Sequence, residues 1–286
     1  MGGMGNQFFQ LAFAKFLQTI GYKVFINIDF FNSKTKKANS TIRHLVLDPQ
    51  FFNLPYSSKL MVLLIKFLNK FNKSNKIPKI FKNVFFSKKF LKIKNLEDFN
   101  KLKSLPSVLH CEGYWQDISI VKYFRVEFET FIKEKIIELN KQEKKVLKGS
   151  TLLHIRRTDY IDINEELNES FYLDAIELLS KNDESFNFDI FSDDRSLQIS
   201  EQITKKSNNI FLPLNQTNHL PNKIIETFID MLFYENYILS NSTYSLLASE
   251  FSYSTDKIII SPKPWFRNRP FYDIYPKNAL FVKNEI

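Results

Sequence analysis

The sequence predicts an α/β protein whose C-terminal half is a parallel sheet with helices on both faces. Two observations carry the prediction. From about residue 150 onward, short apolar runs alternate with amphipathic stretches, the pattern of strands joined by crossover helices. Each polar motif in that half also follows a predicted strand directly, and parallel sheets bind their ligands at the carboxyl ends of their strands.

In chain order, Asn6 to Ile20 reads as a helix because it follows a glycine-rich turn and is apolar along most of its length. Tyr22–Ile28 and Val108–Tyr114 read as strands from their apolar, β-branched and aromatic content. Ile118–Leu147, rich in Lys and Glu, reads as one long helix or two. The strands expected beyond it are Leu152–Ile155, Phe188–Phe191, Ile210–Leu212, Tyr237–Leu239 and Ile258–Ile260, apolar runs of the kind buried on two faces. The helices expected between them lie at Phe171–Leu179, Leu197–Lys205, Lys223–Tyr234 and Thr243–Phe251. The division into domains is expected at 1–148 and 149–286.

Residues 57–103 of the first half form a basic and aromatic tract. Leu60, Leu64, Phe67, Leu68 and Phe71 fall at helical spacing, with Lys66, Lys70 and Lys73 on another face. One reading is a helix with its apolar side on the core and a solvated lysine side. The sharper reading is a surface that meets anionic lipid, where each Lys contributes about 1 kcal/mol. Nucleic acid is not expected as a partner, since no recognised motif for it accompanies the charge.

A formal net charge of +9 suits an anionic partner or a phosphorylated substrate. The single Cys111 excludes an internal disulfide and points to a reducing compartment. His44, His110, His154 and His219 show no zinc-ligand spacing. No signal peptide or membrane span is visible, so a cytoplasmic protein is expected, in peripheral contact with the inner membrane face if the lysine tract is used.

Four motifs carry chemistry. Gly2-Gly3-Met4-Gly5-Asn6-Gln7 opens a helix, where glycines admit close approach and free N–H groups face an anion. His154-Ile155-Arg156-Arg157-Thr158-Asp159 ends a strand. Two adjacent arginines there are poorly explained by packing, and arginine's planar fork matches a phosphate. Phe191-Ser192-Asp193-Asp194 ends another strand; its acids suit a metal, an acceptor base, a helix cap or a reader of guanine's paired N–H donors. Asn241-Ser242-Thr243-Tyr244-Ser245 places hydroxyls at a helix N-terminus, a second phosphate cradle beside the simpler reading as an N-cap.

Taken in order, these motifs resemble the α-1,2-fucosyltransferase family, glycosyltransferase family 11. The resemblance rests on GGMGNQFFQLAFA at the start, EGYWQD at 112–117, HIRRTDY at 154–160, FSDD at 191–194, ILSNSTYSLLASEFS at 238–252 and ISPKPWF at 260–266. It implies a GT-B-like architecture of two Rossmann-like domains facing a cleft, the first on the acceptor side and the second binding GDP-fucose. It implies inverting transfer of L-fucose to the 2-hydroxyl of a galactose-like residue, with no cofactor and no metal required. By the same resemblance Arg156 holds the β-phosphate, His154 lines the nucleotide pocket, and one of Asp193 and Asp194 reads guanine. Ser242, Thr243 and Ser245 bond the diphosphate. Asn6 sits near the leaving oxygen, with Gly3 and Gly5 allowing close approach. Tyr114 and Trp115 offer a platform to the acceptor sugar or serve in packing, and Asp159 orients Arg156. The acceptor implied is a galactose-terminated glycan, in a surface polysaccharide or a lipid-linked precursor.

Some departures from the family pattern matter. Only Met1 precedes Gly2, where the family usually has a hydrophobic strand, so restored upstream residues are expected to improve folding or activity. Leu246 and Leu247 stand where tryptophans are common, and Thr158 where a glycine is. The doublet Arg156-Arg157 followed by Thr158-Asp159 is also similar to α-1,6-fucosyltransferases, which leaves linkage less fixed than donor. The residues alone are compatible with three further classes: a metal-dependent transferase using Asp193 and Asp194, a GDP-binding relative without turnover, and a basic membrane-surface module.

Overall fold

The computed structural model describes residues 2–32, 44–64, 67, 84–87, 108–111, 113–141, 145–183, 186–194, 199, 201–212, 220–268 and 274–284. The chain divides into two compact units, Met1–Glu127 and Phe128–Ile286.

The first unit is built on helix α1, Met4–Thr19, which buries Phe8, Phe9, Leu11, Ala12, Phe13, Phe16 and Leu17. A helix apolar on nearly every side must lie inside its unit. It ends where Gly21 adopts φ 94°. The Gly21 N–H reaches the Gln18 carbonyl and the Tyr22 N–H that of Leu17, both at 3.0 Å. This paired closure satisfies the orphan carbonyls of the last turn and favours glycine at the left-handed position. The buried Gln7 fastens α1 to the segment after it. Its Oε1 accepts from Val46 and Leu47 N–H at 2.9 and 3.0 Å, and its Nε2 donates to the His44 carbonyl at 2.7 Å.

Helix α2, Asp29–Asn32, is a single turn. Strands β1, Val84–Ser87, and β2, Val108–Cys111, pair in parallel. Among the described residues Tyr22–Ile28, expected as a strand, makes one isolated parallel bridge, between Ile26 and Tyr56. Pro55 lies in the partner segment and has no N–H to continue a ladder. The helical spacing of the basic tract is seen at residues 59–64 and 67. Leu60, Leu64 and Phe67 are exposed, however, so this side does not face a core. Leu68, Phe71 and most of the lysines lie outside the described residues.

Ile118–Leu147 is shorter than expected as regular structure. A 3-10 turn, Ile118–Tyr123, capped by Asp117, precedes helix α3, Arg125–Glu138. Asn140 at φ 50° then closes α3, with Lys141 N–H bonded to the Ile136 carbonyl at 2.9 Å.

The second unit holds a six-stranded, all-parallel sheet. Its strands are β3 (Ser150–Ile155), β4 (Asn187–Ser192), β5 (Ile210–Phe211), β6 (Asn236–Ile238), β7 (Ile259–Lys263) and β8 (Leu280–Lys283). They lie in the order β5-β4-β3-β6-β7-β8. The chain therefore builds outward from β3 in one direction, returns, and builds outward in the other from β6. The pair β3 and β6 is the switch point, the crevice where such sheets bind ligands. Helices α4 (Thr158–Ile161), α5 (Glu169–Asn182), α6 (Glu201–Thr204), α7 (Pro221–Met231) and α8 (Thr243–Glu250) connect the strands.

All six residues of β3 are buried, which requires cover on both faces. On one face Leu153, Ile190, Ile238 and Ile260 stand in register and pack with Phe171, Tyr172, Ala175, Ile176 and Leu179 of α5. On the other, Tyr237 donates to the Met231 carbonyl at the end of α7 at 2.8 Å. The Tyr244 ring of α8 lies 5.6 Å from that of Phe228 and 6.3 Å from His154. The α/β class and the parallel sheet covered on both faces are thus as the sequence predicts. Strand β8 has no counterpart among the strands expected from sequence, and of Leu197–Lys205 only the four residues of α6 are helical among those described.

Candidate active site

The switch point is built by two turns that leave neighbouring strands. After Ile155 the chain emerges from β3 into Arg156 and Arg157, whose side chains are held by acids from the next strand over. Arg156 Nη1 pairs with Asp193 Oδ2 at 2.7 Å, and Nη2 with Asp159 Oδ1. Arg157 N–H donates to Asp193 Oδ1 at 2.8 Å, and the Thr158 hydroxyl donates to Asp193 Oδ2. Asp193 therefore takes donors from three consecutive residues and fixes the arginine turn. The opposing carboxylates raise the affinity of Arg156 for its proton despite burial, so the group stays charged.

The carboxylates do not use all the guanidinium donors. Arg156 Nε is buried without an acceptor. Arg157 Nε lies 3.3 Å from Asp194 Oδ2, without the alignment of a hydrogen bond. Buried N–H groups left unpaired cost about 1–3 kcal/mol each, so two on adjacent residues are unfavourable for folding alone. Both are enclosed by protein, so an anion satisfies them only where a neighbouring side chain moves aside.

The second turn follows β6. Ser240 and Asn241 are fully buried, and Ser242 caps α8 by accepting from Tyr244 N–H at 3.3 Å. That contact uses the Ser242 oxygen and leaves its proton to donate. Ser245 donates to the Ser242 carbonyl at 3.1 Å, inside the helix itself. Thr243 occupies the first helical position. His154, near the end of β3, spans the crevice. Its Nδ1 lies 2.6 Å from Ser240 Oγ. Burial first, and the Arg156 charge second, lower its pKa to about 3, so the ring is neutral at any ordinary pH.

Residues that sequence reasoning did not single out tie these turns together. The Tyr160 ring lies 5.4 Å from the Arg156 guanidinium, and its phenol donates to the Asn241 carbonyl at 3.0 Å. Asn241 Nδ2 donates to the Glu165 carbonyl at 2.7 Å. The buried Glu165 carboxylate accepts from the backbone N–H groups of Arg267 and Asn268 at 2.8 and 3.0 Å. Tyr160 stands inside the HIRRTDY motif, but nothing in its spacing announces a contact eighty-one residues away.

The N-terminal site residues sit in the first unit. Gly3 is the N-cap of α1, and Gly5 is buried in its first turn. At Gly2 an added Cβ would clash with the Asn6 side chain. Two of the motifs meet here. Asn6 Oδ1 accepts from Gln116 Nε2 at 2.6 Å, Gln10 Nε2 donates to the Gly113 carbonyl at 2.8 Å, and Phe13 stacks on Trp115 at 4.2 Å. Residues 6, 10 and 13 share one face of α1, which is the signal that would have paired the motifs. Trp115 is thus held in packing, whereas Tyr114 is exposed. Burial pushes the Cys111 thiol up to about 12. Among the described residues no cluster of His, Cys, Asp and Glu could hold a metal ion.

The chain resembles known proteins along most of its length. The O-antigen biosynthesis glycosyltransferase WbnK of Escherichia coli is 28% identical over 293 residues, spanning 93% of this chain and 93% of that protein. Among solved structures, the fucosyltransferase NodZ from Bradyrhizobium aligns with 87% of this chain and 89% of its own, at 13% identity and a TM-score of 0.46. The family description Glycosyl transferase family 11 matches residues 1–284. With that match running nearly end to end, the chain belongs to glycosyltransferase family 11.

Proposed function

We propose that this family 11 glycosyltransferase moves L-fucose from GDP-β-L-fucose to the 2-hydroxyl of a galactose-like residue, with inversion and without a required metal. The observation that carries the proposal is the buried Arg156 Nε without an acceptor, beside an Arg157 Nε held only by its ion pair with Asp194, at the switch point whose other turn opens α8. A leaving diphosphate gains charge as the glycosidic bond breaks, and fixed donors aimed at that charge lower the barrier. Arg156 holds the β-phosphate. The Ser242 and Thr243 hydroxyls and the first N–H groups of α8 complete the cradle. Ser245 joins them only by releasing the Ser242 carbonyl. Asp194 is the better candidate to read guanine, because Asp193 is already committed to residues 156–158. The same commitment argues against an Asp193–Asp194 metal site.

The reaction is an in-line displacement at the anomeric carbon through an oxocarbenium-like transition state. The acceptor hydroxyl forms the new glycosidic bond and gives up its proton to a base within hydrogen-bond reach; the C1–O bond breaks and GDP carries away the electron pair. The neutral His154, with so low a pKa, is a poor proton acceptor and serves to line the nucleotide pocket. Asn6 acts at the leaving oxygen, and Tyr114 bears on the acceptor sugar. Peripheral contact with an anionic membrane is the proposed role of the exposed Leu60, Leu63, Leu64 and Phe67 beside the lysines of the tract. Binding to anionic but not neutral vesicles at low salt tests it.

The deciding experiment measures GDP release from GDP-fucose with galactose-terminated acceptors in excess EDTA, in wild type and Arg156→Ala. Turnover in wild type that survives EDTA and is lost in the variant supports the donor, the metal independence and the phosphate role together. Turnover abolished by EDTA overturns the metal-independent reading, and absence of GDP binding overturns the donor. Mapping the linkage of the product decides between the 2-hydroxyl and the α-1,6-like alternative.

A further inference from the structure

The geometry points to Tyr160 as a positioning residue that locks the two turns of the site into one diphosphate cradle. Its side chain touches both. The ring lies beneath the Arg156 guanidinium at 5.4 Å, on the turn that leaves β3. The phenol donates to the Asn241 carbonyl at 3.0 Å, on the turn that leaves β6 and opens α8. In a parallel sheet, hydrogen bonding between β3 and β6 ends with the strands, at Leu153 and Ile238 in this register. Beyond that point side chains hold the spacing of the turns, His154 to Ser240 at 2.6 Å being one such contact. Tyr160 does so with one rigid side chain of two χ angles. It is itself held from the sides by the Phe266 ring at 6.0 Å and by the Glu165 N–H on its carbonyl.

The consequence is chemical. A diphosphate that bridges Arg156 and the α8 N-terminus needs both at a fixed separation, since misplacement of one weakens binding and transition-state stabilisation together. The phenol is turned to Asn241 rather than to a ligand, so Tyr160 acts through its neighbours.

This role rests on the reading of Arg156 and α8 as a diphosphate cradle, and the test separates the two. Binding of GDP and of guanosine is measured by calorimetry for wild type, Arg156→Ala, Tyr160→Phe and Tyr160→Leu, with the melting temperature of each. Tyr160→Phe keeps the ring and loses one hydrogen bond, so its GDP affinity falls about fivefold. Tyr160→Leu also loses the cation–π contact and falls by about a further two- to fivefold. Guanosine, lacking phosphates, binds all four proteins alike. Equal GDP affinity in Tyr160→Phe and wild type, with Arg156→Ala impaired, overturns the role of Tyr160 alone. Parallel losses for GDP and guanosine, tracking the melting temperature, reduce Tyr160 to a structural residue and overturn it too. If wild type binds no GDP, or Arg156→Ala binds it as well as wild type, the cradle itself falls and this role with it.

Discussion

At the scale of single residues, the site depends on buried polar groups; Arg156 Nε, Arg157 Nε and Asn241 Oδ1 are without a hydrogen-bond partner, but many of the others are paired. Asp193 is the clearest case, with three donors on two oxygens. Asp193→Ala strips Arg156 of one of its two carboxylates and leaves the Arg157 N–H unpaired. We expect a loss of about 2 kcal/mol, below the range for a fully buried pair because the side chains are partly solvated, read as a fall in urea midpoint. Asp193→Asn retains an acceptor for that N–H and loses less. His154 gives a pH signature. The unfolded imidazole titrates at its ordinary value near 6.5, whereas the folded one stays neutral to about 3. Below pH 6.5 the unfolded state therefore binds the extra proton, and stability falls as pH drops through that window. The slope approaches about 1.4 kcal/mol per pH unit and fades near pH 3. Denaturation measured from pH 7 to 4 in wild type and His154→Asn checks this, the variant having the shallower slope.

At the scale of elements, α1 shows why a motif that reads as ligand-binding also has structural duties. Gln7 is buried because it satisfies the backbone of residues 44–47, which pairs with no strand among the described residues. Gln7→Leu has nearly the right volume but takes the partner from two N–H groups and two carbonyls. It should cost at least about 3 kcal/mol in urea unfolding, the lower end for several such orphans at about 1–3 kcal/mol each. Gly2→Ala tests another part of the same turn. Its Cβ must displace the Asn6 side chain, so turnover should fall at least tenfold with GDP affinity unchanged, read as kcat against Kd.

At the scale of the whole molecule, the six-stranded sheet places the candidate site of the second unit at the switch point between β3 and β6. A ligand that binds only the folded state stabilises it by about 2.7 kcal/mol at a hundred times its dissociation constant. Saturating GDP should therefore raise the melting temperature of wild type by several degrees and that of Arg156→Ala little at the same concentration. No helix among the described residues is long and apolar enough to cross a membrane.

The sequence by itself determined most of the second unit. Its strands from Leu152 to Ile260 are short, apolar and separated by amphipathic helices, so local pattern and the parallel-sheet rule agree on class and on which strand ends matter. Arg156, Asp193 and the Ser242 cap were legible for the same reason: a charged or capping residue directly after a buried strand has left the core and stands at the sheet's ligand-binding edge. Tertiary structure decided which of them meet. The strand order that sets β3 beside β6, the capture of Asp193 by residues 156–158, and the Tyr160–Asn241 strap are contacts between positions 35 or more residues apart. No periodicity encodes such pairings. In the first unit the balance shifts further toward structure. The apolar content of Tyr22–Ile28 suggested a strand, but a strand exists only where another backbone offers matching donors, and Pro55 withholds one. Leu60, Leu64 and Phe67 keep helical spacing yet stay exposed, because spacing selects a common face and packing alone decides what that face meets.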